Sequence, residues 1–223
     1  MTDPKVAFPR GRQFAMTWSV PDDFGGMTSA LLHRSRAFVR LGGVPVDVLT
    51  FDPGLDVVAT EQRLRERGEL IDGMRLLNLY DWFRATPISA DARGSLDLEA
   101  HAFTPLEGPG EGRSRARTAS DGTVLQLDHY RSDGTLVISD RRDAAEPGRL
   151  GGRSVVLCDA AGRPVRSWGS VWGLYRFWLD ELRGGEPSFF IADSKTVAPF
   201  AMTYRRKRAV MMHVVHARNV NLL

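Results

Sequence analysis

Cysteine is almost missing from this chain: Cys158 is the single one in 223 residues. That excludes a disulfide within the chain and argues against a cysteine-based metal site. Cys158 ends the apolar run Ser154–Cys158, which predicts a buried structural thiol rather than a nucleophile. Lysine is nearly as scarce, three residues against 27 arginines. With abundant Gly and Ala this looks like the coding bias of a GC-rich bacterial genome, so the arginine count by itself implies no partner. Long apolar runs are missing too, none approaching the roughly 18 residues of a membrane span. The opening MTDPKVAFPRGR has no apolar core of a signal peptide, and these two absences together predict a cytoplasmic protein. A complete phosphate motif is also lacking: there is neither the three-glycine dinucleotide fingerprint nor a P-loop Lys followed by Ser or Thr. The densest basic cluster, Tyr204-Arg205-Arg206-Lys207-Arg208, has no interleaved aromatics, so nucleic acid is not an expected partner. A solvated basic end to a helix, favoured by the helix dipole, accounts for it.

What remains is the composition of a globular protein, 43% hydrophobic and 26% charged with a formal net charge of +3. The length allows a sizeable core, as one large domain or a domain with an insertion. Phe14–Val20 is a β-prone run ending at Pro21. Thr28–Leu41 turns helical, with Ala30, Leu31, Phe38 and Leu41 on one face and His33, Arg36 and Arg40 on the other. Arg34 falls on the apolar side and must snorkel or find a partner. Gly42-Gly43 stops the helix, Val44–Phe51 gives a second strand, and a charged helix follows over Val57–Leu70, with Glu61 and Glu66 among arginines. Strand, helix, strand, helix at this spacing begins a parallel α/β sheet.

Residues 86–122 break that rhythm with many Gly, Pro, Ser and Asp. Thr123–His129 and Thr135–Ser139 then flank Ser132-Asp133-Gly134, a hairpin signal, and Ser154–Cys158 and Pro164–Trp168 flank a second turn. Two hairpins in succession read as an antiparallel meander inserted into the α/β scheme. The α/β pattern returns with a helix over Val171–Leu182, whose Trp172, Tyr175 and Trp178 are expected in the core. Strand Ser188–Ala192, a helix over Thr196–Arg206 and strand Ala209–His216 complete it. The expected fold class is therefore α/β, a Rossmann-like parallel sheet interrupted by a β-rich insertion.

Ligands of open α/β sheets bind at the carboxyl ends of the strands, and three polar groups fall there. Gly25 and Gly26 precede the first helix, where free N–H groups favour anions and a missing Cβ permits close approach; a tight turn is the other reading. Asp193-Ser194-Lys195 follow a strand and could hold sugar hydroxyls or a phosphate, or else cap the next helix. His213 and His216 lie three apart in a strand and point to opposite faces, so they make a poor metal pair. His216, at the strand end, is the site candidate, and His213 is read as a core residue. His33, His101 and His129 offer no partner pattern, and no nucleophile triad can be assembled.

FGGMTSALLHRSRAF followed by LGGVPVDVLTF resembles the first βαβ unit of bacterial GT-B glycosyltransferases. The resemblance is to the retaining, family 4 enzymes of the poly(glycerol-phosphate) α-glucosyltransferase type. It continues in YRSDGTLVISD, VWGLYRFWLDEL, SFFIADSKTVAPF and AVMMHVVHARN, and is loose between about 80 and 120. It implies a first Rossmann-like domain over residues 1–78 and 171–223 carrying a β-rich insertion at 79–170. It implies sugar transfer, with retention, from a nucleotide-sugar donor to a cell-wall polymer, glycan or protein acceptor, without a metal or other cofactor. Gly25 and Gly26 would face the donor diphosphate, and His216 would stand beside the transferred sugar as the catalytic residue. Asp193, Lys195 and Asn219 would belong to the donor or substrate side. The second Rossmann-like domain of that family, with its Glu-x7-Glu motif, has no counterpart here; Glu99 and Glu107 have the spacing but lie in the loop-rich insertion. The chain would then carry half of an active site. A homo-oligomer through the insertion, or a partner supplying the second domain, would complete the assembly. Two rival readings are a non-catalytic glycosyltransferase-like binding or scaffold subunit and a small flavodoxin-like nucleotide-binding protein.

Overall fold

Gly43 ends the first helix in the left-handed conformation (φ 65°), its N–H returning to the Val39 carbonyl at 3.0 Å. That conformation is cheap only for glycine, and it turns the chain back toward the sheet. The computed structural model describes residues 7–88, 103–108 and 113–215. In chain order the elements are β1 (Arg12–Thr17), α1 (Gly26–Gly42), β2 (Val46–Thr50), α2 (Val57–Glu66), β3 (Met74–Asn78) and α3 (Leu79–Ala85). An antiparallel series follows: β4 (Ser114–Thr118), β5 (Val124–Tyr130), β6 (Leu136–Arg141), β7 (Ser154–Cys158) and β8 (Pro164–Trp168). Last come α4 (Val171–Arg183), β9 (Ser188–Ala192), α5 (Ala198–Ala201) and β10 (Ala209–His213).

The chain divides into two units, one of residues 1–81 and 179–223, the other of Trp82–Trp178. The first holds a five-stranded sheet of order β10-β9-β1-β2-β3, parallel throughout. Its central strands β1 and β2 are buried along nearly their whole length, as parallel strands covered on both faces must be. Ala15, Leu31, Leu32, Val48, Leu64 and Leu76 form its core between sheet and helices. The second unit is an antiparallel meander in strand order β4-β5-β6-β7-β8. Leu125, Val137, Ile138, Val155 and Leu157 are among its buried apolar strand residues. Fold class is thus as the alternation of patterns implies: a Rossmann-like parallel sheet interrupted by an antiparallel β unit.

Several details differ from expectation. Strand β3 and edge strand β4 carry no clear pattern in the sequence, yet both pair in register with a neighbour. On α1, Ala30 and Leu41 are exposed, and the buried stripe runs through Thr28, Leu31, Leu32 and Ser35, whose Oγ donates to the Leu31 carbonyl. The helix expected over Thr196–Arg206 is only Ala198–Ala201. Beyond it Tyr204 Oη donates to Asp180 at 2.9 Å, and Arg206 grips the same carboxylate at 2.7–3.0 Å, drawing the chain out of helical register. The basic cluster therefore lies outside any helix, with one member paired. His213 is half-buried on edge strand β10, whose Val210 and Met212 are exposed, so it is not a core residue. Tyr175 and Trp178 are buried as expected, whereas Trp172 is exposed. Among the described residues no helix is long and apolar enough to cross a membrane.

Candidate functional site

The chain leaves β1 toward β2 and β3 on one side and returns to β9 and β10 on the other. The carboxyl ends of β1 and β9 therefore flank the topological switch point, where a ligand finds a crevice in this architecture. Two of the residue groups singled out in the sequence, Gly25-Gly26 and Asp193-Ser194-Lys195, lie on the segments that follow these two strands. The Asp193 N–H donates to the Met16 carbonyl at 3.0 Å, extending the β9–β1 pairing to the strand end. The Asp193 side chain is fully buried (0% exposed) and accepts from Arg34 Nη1 at 3.0 Å and Nη2 at 2.5 Å. Arg34 lies about two turns into α1. This bidentate ion pair ties the helix that starts at the glycines to the end of β9, and it is the partner Arg34 requires. Both oxygens of Asp193 are engaged, and the Arg34 side chain remains 23% exposed. Ser194 Oγ accepts the Thr196 N–H at 3.2 Å and its carbonyl accepts from Val197 and Ala198, closing the turn. Lys195 is exposed on that turn.

Gly25 and Gly26 are exposed at the start of α1, and neither has a positive φ. Gly25 is the N-cap, at φ −83° and ψ −172°, a conformation open to any residue. A Cβ built on either glycine meets nothing within 4 Å. Neither steric crowding nor a positive φ thus requires glycine at either position, although glycine is a favoured N-cap residue. Among the described residues no side chain caps the helix, and its first turn holds no acidic residue, so its first N–H groups are left for another acceptor. The loop leading to them is held by α2, through contacts that have no signature in the sequence. Arg63 pairs with the Asp22 carboxylate and donates to the Val20 and Pro21 carbonyls at 3.3 Å, and Arg67 donates to the Asp22 carbonyl at 3.1 Å. Gly26→Ala is expected to leave folding free energy unchanged or to raise it by up to about 1 kcal/mol, by removing freedom from the unfolded chain, whereas Gly25→Ala at the N-cap should lower it by up to about 1 kcal/mol. Urea titration of each variant checks this.

The ends of β2 and β3 are satisfied internally: Asn78 Nδ2 donates to Thr50 Oγ1 at 3.1 Å and to the Asp52 carbonyl at 2.9 Å, while its Oδ1 accepts the Tyr80 N–H. His216 and Asn219 lie outside the described residues, as do His101 and Glu99. His33 is exposed on α1. In the antiparallel unit Cys158 is buried and desolvation pushes its thiol up to about 12, so it is no nucleophile at neutral pH. Among the described residues no cluster of His, Cys, Asp or Glu could hold a metal ion.

Neither a protein-family model nor a curated protein matches the chain. Solved structures do. A mutant of S. aureus TarM in complex with fondaparinux, α-GlcNAc-glycerol and UDP superposes with a TM-score of 0.64 at 16% identity, covering 92% of this chain and 50% of TarM. A second TarM structure gives a TM-score of 0.65 at 17% identity, covering 96% and 52%. The pneumococcal O-GlcNAc transferase GtfA, in complex with UDP and GlcNAc, is more distant, with a TM-score of 0.45 at 14% identity over 92% of this chain and 48% of GtfA. The chain spans about half the length of these structures. At such identity the likeness shows the fold: a parallel α/β sheet with an inserted antiparallel sheet, as in about half of TarM.

Proposed function

We propose that this chain is the N-terminal, acceptor-side half of a retaining GT-B glycosyltransferase, moving a sugar from a nucleotide-sugar donor to a polymer, glycan or protein acceptor. The observation that carries the reading is the exposed glycine pair at the N-terminus of α1, the helix that follows β1, where neither crowding nor a positive φ requires glycine. A donor diphosphate would rest against the N–H groups there. The likeness in fold to TarM, whose structure contains UDP, supports a nucleotide diphosphate as the ligand. Lys195 and Asn219 are assigned to donor or acceptor oxygens. Asp193 holds α1 in place through Arg34. His216 is assigned the place beside the transferred sugar, hydrogen-bonding it or supporting charge as an oxocarbenium-like transition state develops. No metal takes part in this scheme. Catalysis would require a second Rossmann-like unit to hold the nucleotide and neutralise the diphosphate. The purified 223-residue chain, incubated with UDP-sugar and acceptor, is therefore expected to give negligible transfer. Robust turnover by this chain alone would contradict the half-site reading.

A second reading, a non-catalytic glycosyltransferase-like subunit that scaffolds an assembly, draws on β4 and β8. Among the described residues each is an edge strand with one neighbour, leaving a backbone row able to pair with another chain. It requires a stable oligomer in solution and a function unchanged by His216→Ala. A monomer by sedimentation would rule it out.

A further inference from the structure

The basic cluster that follows Tyr204 has no role in the glycosyltransferase reading. Residues 205–208 join α5 to β10 along the border of the parallel sheet, where β10 is the outermost strand. The backbone there is pinned. Arg183 Nη2 donates to the Lys207 carbonyl at 2.7 Å, and the Ser188 N–H donates to the Arg208 carbonyl at 2.9 Å. Arg206 is spent on Asp180, whereas Arg205, Lys207 and Arg208 are exposed and form no ion pair among the described residues. Apolar side chains are exposed along the same border. Met211 sits beside Phe190, on the sheet face where the Phe190 ring meets Tyr204. Val210 and Met212 alternate to the opposite face and stay open to solvent, although parallel strands are ordinarily covered on both faces. With Met202 before the cluster and Val215 after β10, four apolar side chains here are 43–69% exposed. Residues 202–215 hold four Arg or Lys and no Asp or Glu.

We propose that this border docks the protein on an anionic phospholipid surface, with Arg205, Lys207 and Arg208 at the headgroup phosphates and Met202, Val210, Met212 and Val215 entering the boundary between headgroups and acyl chains. Charge complementarity argues for this occupant: unpaired cations free of neighbouring carboxylates are drawn to a negative leaflet, and apolar side chains beside them add the burial that holds a peripheral protein there. A nucleic acid would also answer the cations. It is held by aromatic stacking as well, and Tyr204, the aromatic ring of this segment, is buried, while the exposed aliphatic side chains would serve it nothing. The attachment is to the membrane surface and needs no spanning helix. None of the switch-point residues takes part, so the inference stands independently of the glycosyltransferase reading.

The test is cosedimentation of the full chain with vesicles of equimolar phosphatidylglycerol and phosphatidylcholine, and with vesicles of phosphatidylcholine alone, at low ionic strength. Binding to the first and not to the second is expected. Arg205→Gln combined with Lys207→Gln should weaken it about 30-fold. Val210→Ser combined with Met212→Ser should weaken it about fivefold or more. Urea unfolding checks that each variant folds; should the serine pair not fold, Met202→Ser, in the turn after α5, takes its place with the same readout. Poly(U) RNA at the same salt is the competing ligand. The proposal is overturned by a chain that stays in the supernatant with anionic vesicles, by equal recovery with the two vesicle types, or by unchanged binding in either set of variants. RNA bound more tightly than vesicles, and equally well by the serine variant, would overturn it in favour of nucleic acid.

Discussion

Arg34→Ala should lower the folding stability by about 3–5 kcal/mol, the cost of leaving a buried charge without its partner. Asp193 is fully buried and its two oxygens accept from the two Arg34 nitrogens, so the truncation removes two charge-assisted hydrogen bonds from a buried carboxylate. Asp193→Ala should cost less, because the Arg34 guanidinium is partly exposed and can turn outward. The double variant should resemble the weaker single one, since with both charges gone nothing is stranded. Urea unfolding of the three variants yields the coupling energy directly. A cost below about 1 kcal/mol for Arg34→Ala would show that the pair behaves as a surface ion pair, and the link between α1 and β9 would lose its physical basis.

Between pH 7 and pH 5 the antiparallel unit should lose about 2 kcal/mol of stability through His129 alone. The ring is 1% exposed, with Arg84 Nη2 lying 3.5 Å from Nδ1. Burial, and secondarily the Arg84 charge, pushes its pKa down from 6.5 to about 3. The folded state therefore keeps the neutral ring while the unfolded chain takes up a proton below pH 6.5, and stability falls as pH drops from there toward 3. Asp128 works in the opposite direction. Its pKa is raised, chiefly by burial, so the folded state binds its proton first and the group offsets part of the loss at lower pH. His129→Gln isolates the histidine. Hydrogen exchange of the β5 amides should show the pH dependence of the variant flatter than wild type by about 2 kcal/mol over this interval. Parallel profiles would mean that the ring is solvated.

Turn chemistry made the second half of the fold legible. Asp159-Ala160-Ala161-Gly162 and the compact run Ser188–Ala192 gave β7, β8 and β9 with the bounds they have. Strand β3 stayed hidden because Asn78 passes straight into α3, capping it with its own side chain, so no turn residue separates strand from helix. Strand β4 reads Ser-Arg-Ala-Arg-Thr, and its register comes from pairing with β5 rather than from an apolar face of its own. At the candidate site, the demand of Arg34 for a partner was readable from the helical pattern. That Asp193 answers it was not, because the two are 159 residues apart and meet only when β9 is laid beside β1. The grip of Arg63 and Arg67 on the Val20–Asp22 loop was invisible for the same reason: it depends on where α2 lies, and many arginines of this chain show the same local pattern.

UDP titrated into the isotope-labelled chain, wild type against Gly25→Val, tests the central claim most directly. A Cβ at this position has open space and an allowed backbone, so the variant should fold, at a cost of about 1 kcal/mol for the poorer N-cap. The account predicts UDP-dependent shifts of the amides at Gly25, Gly26 and Met27 in the wild type, and at least a tenfold weaker response in the variant. Equal binding by the two proteins, or shifts that leave the start of α1 untouched, would contradict it.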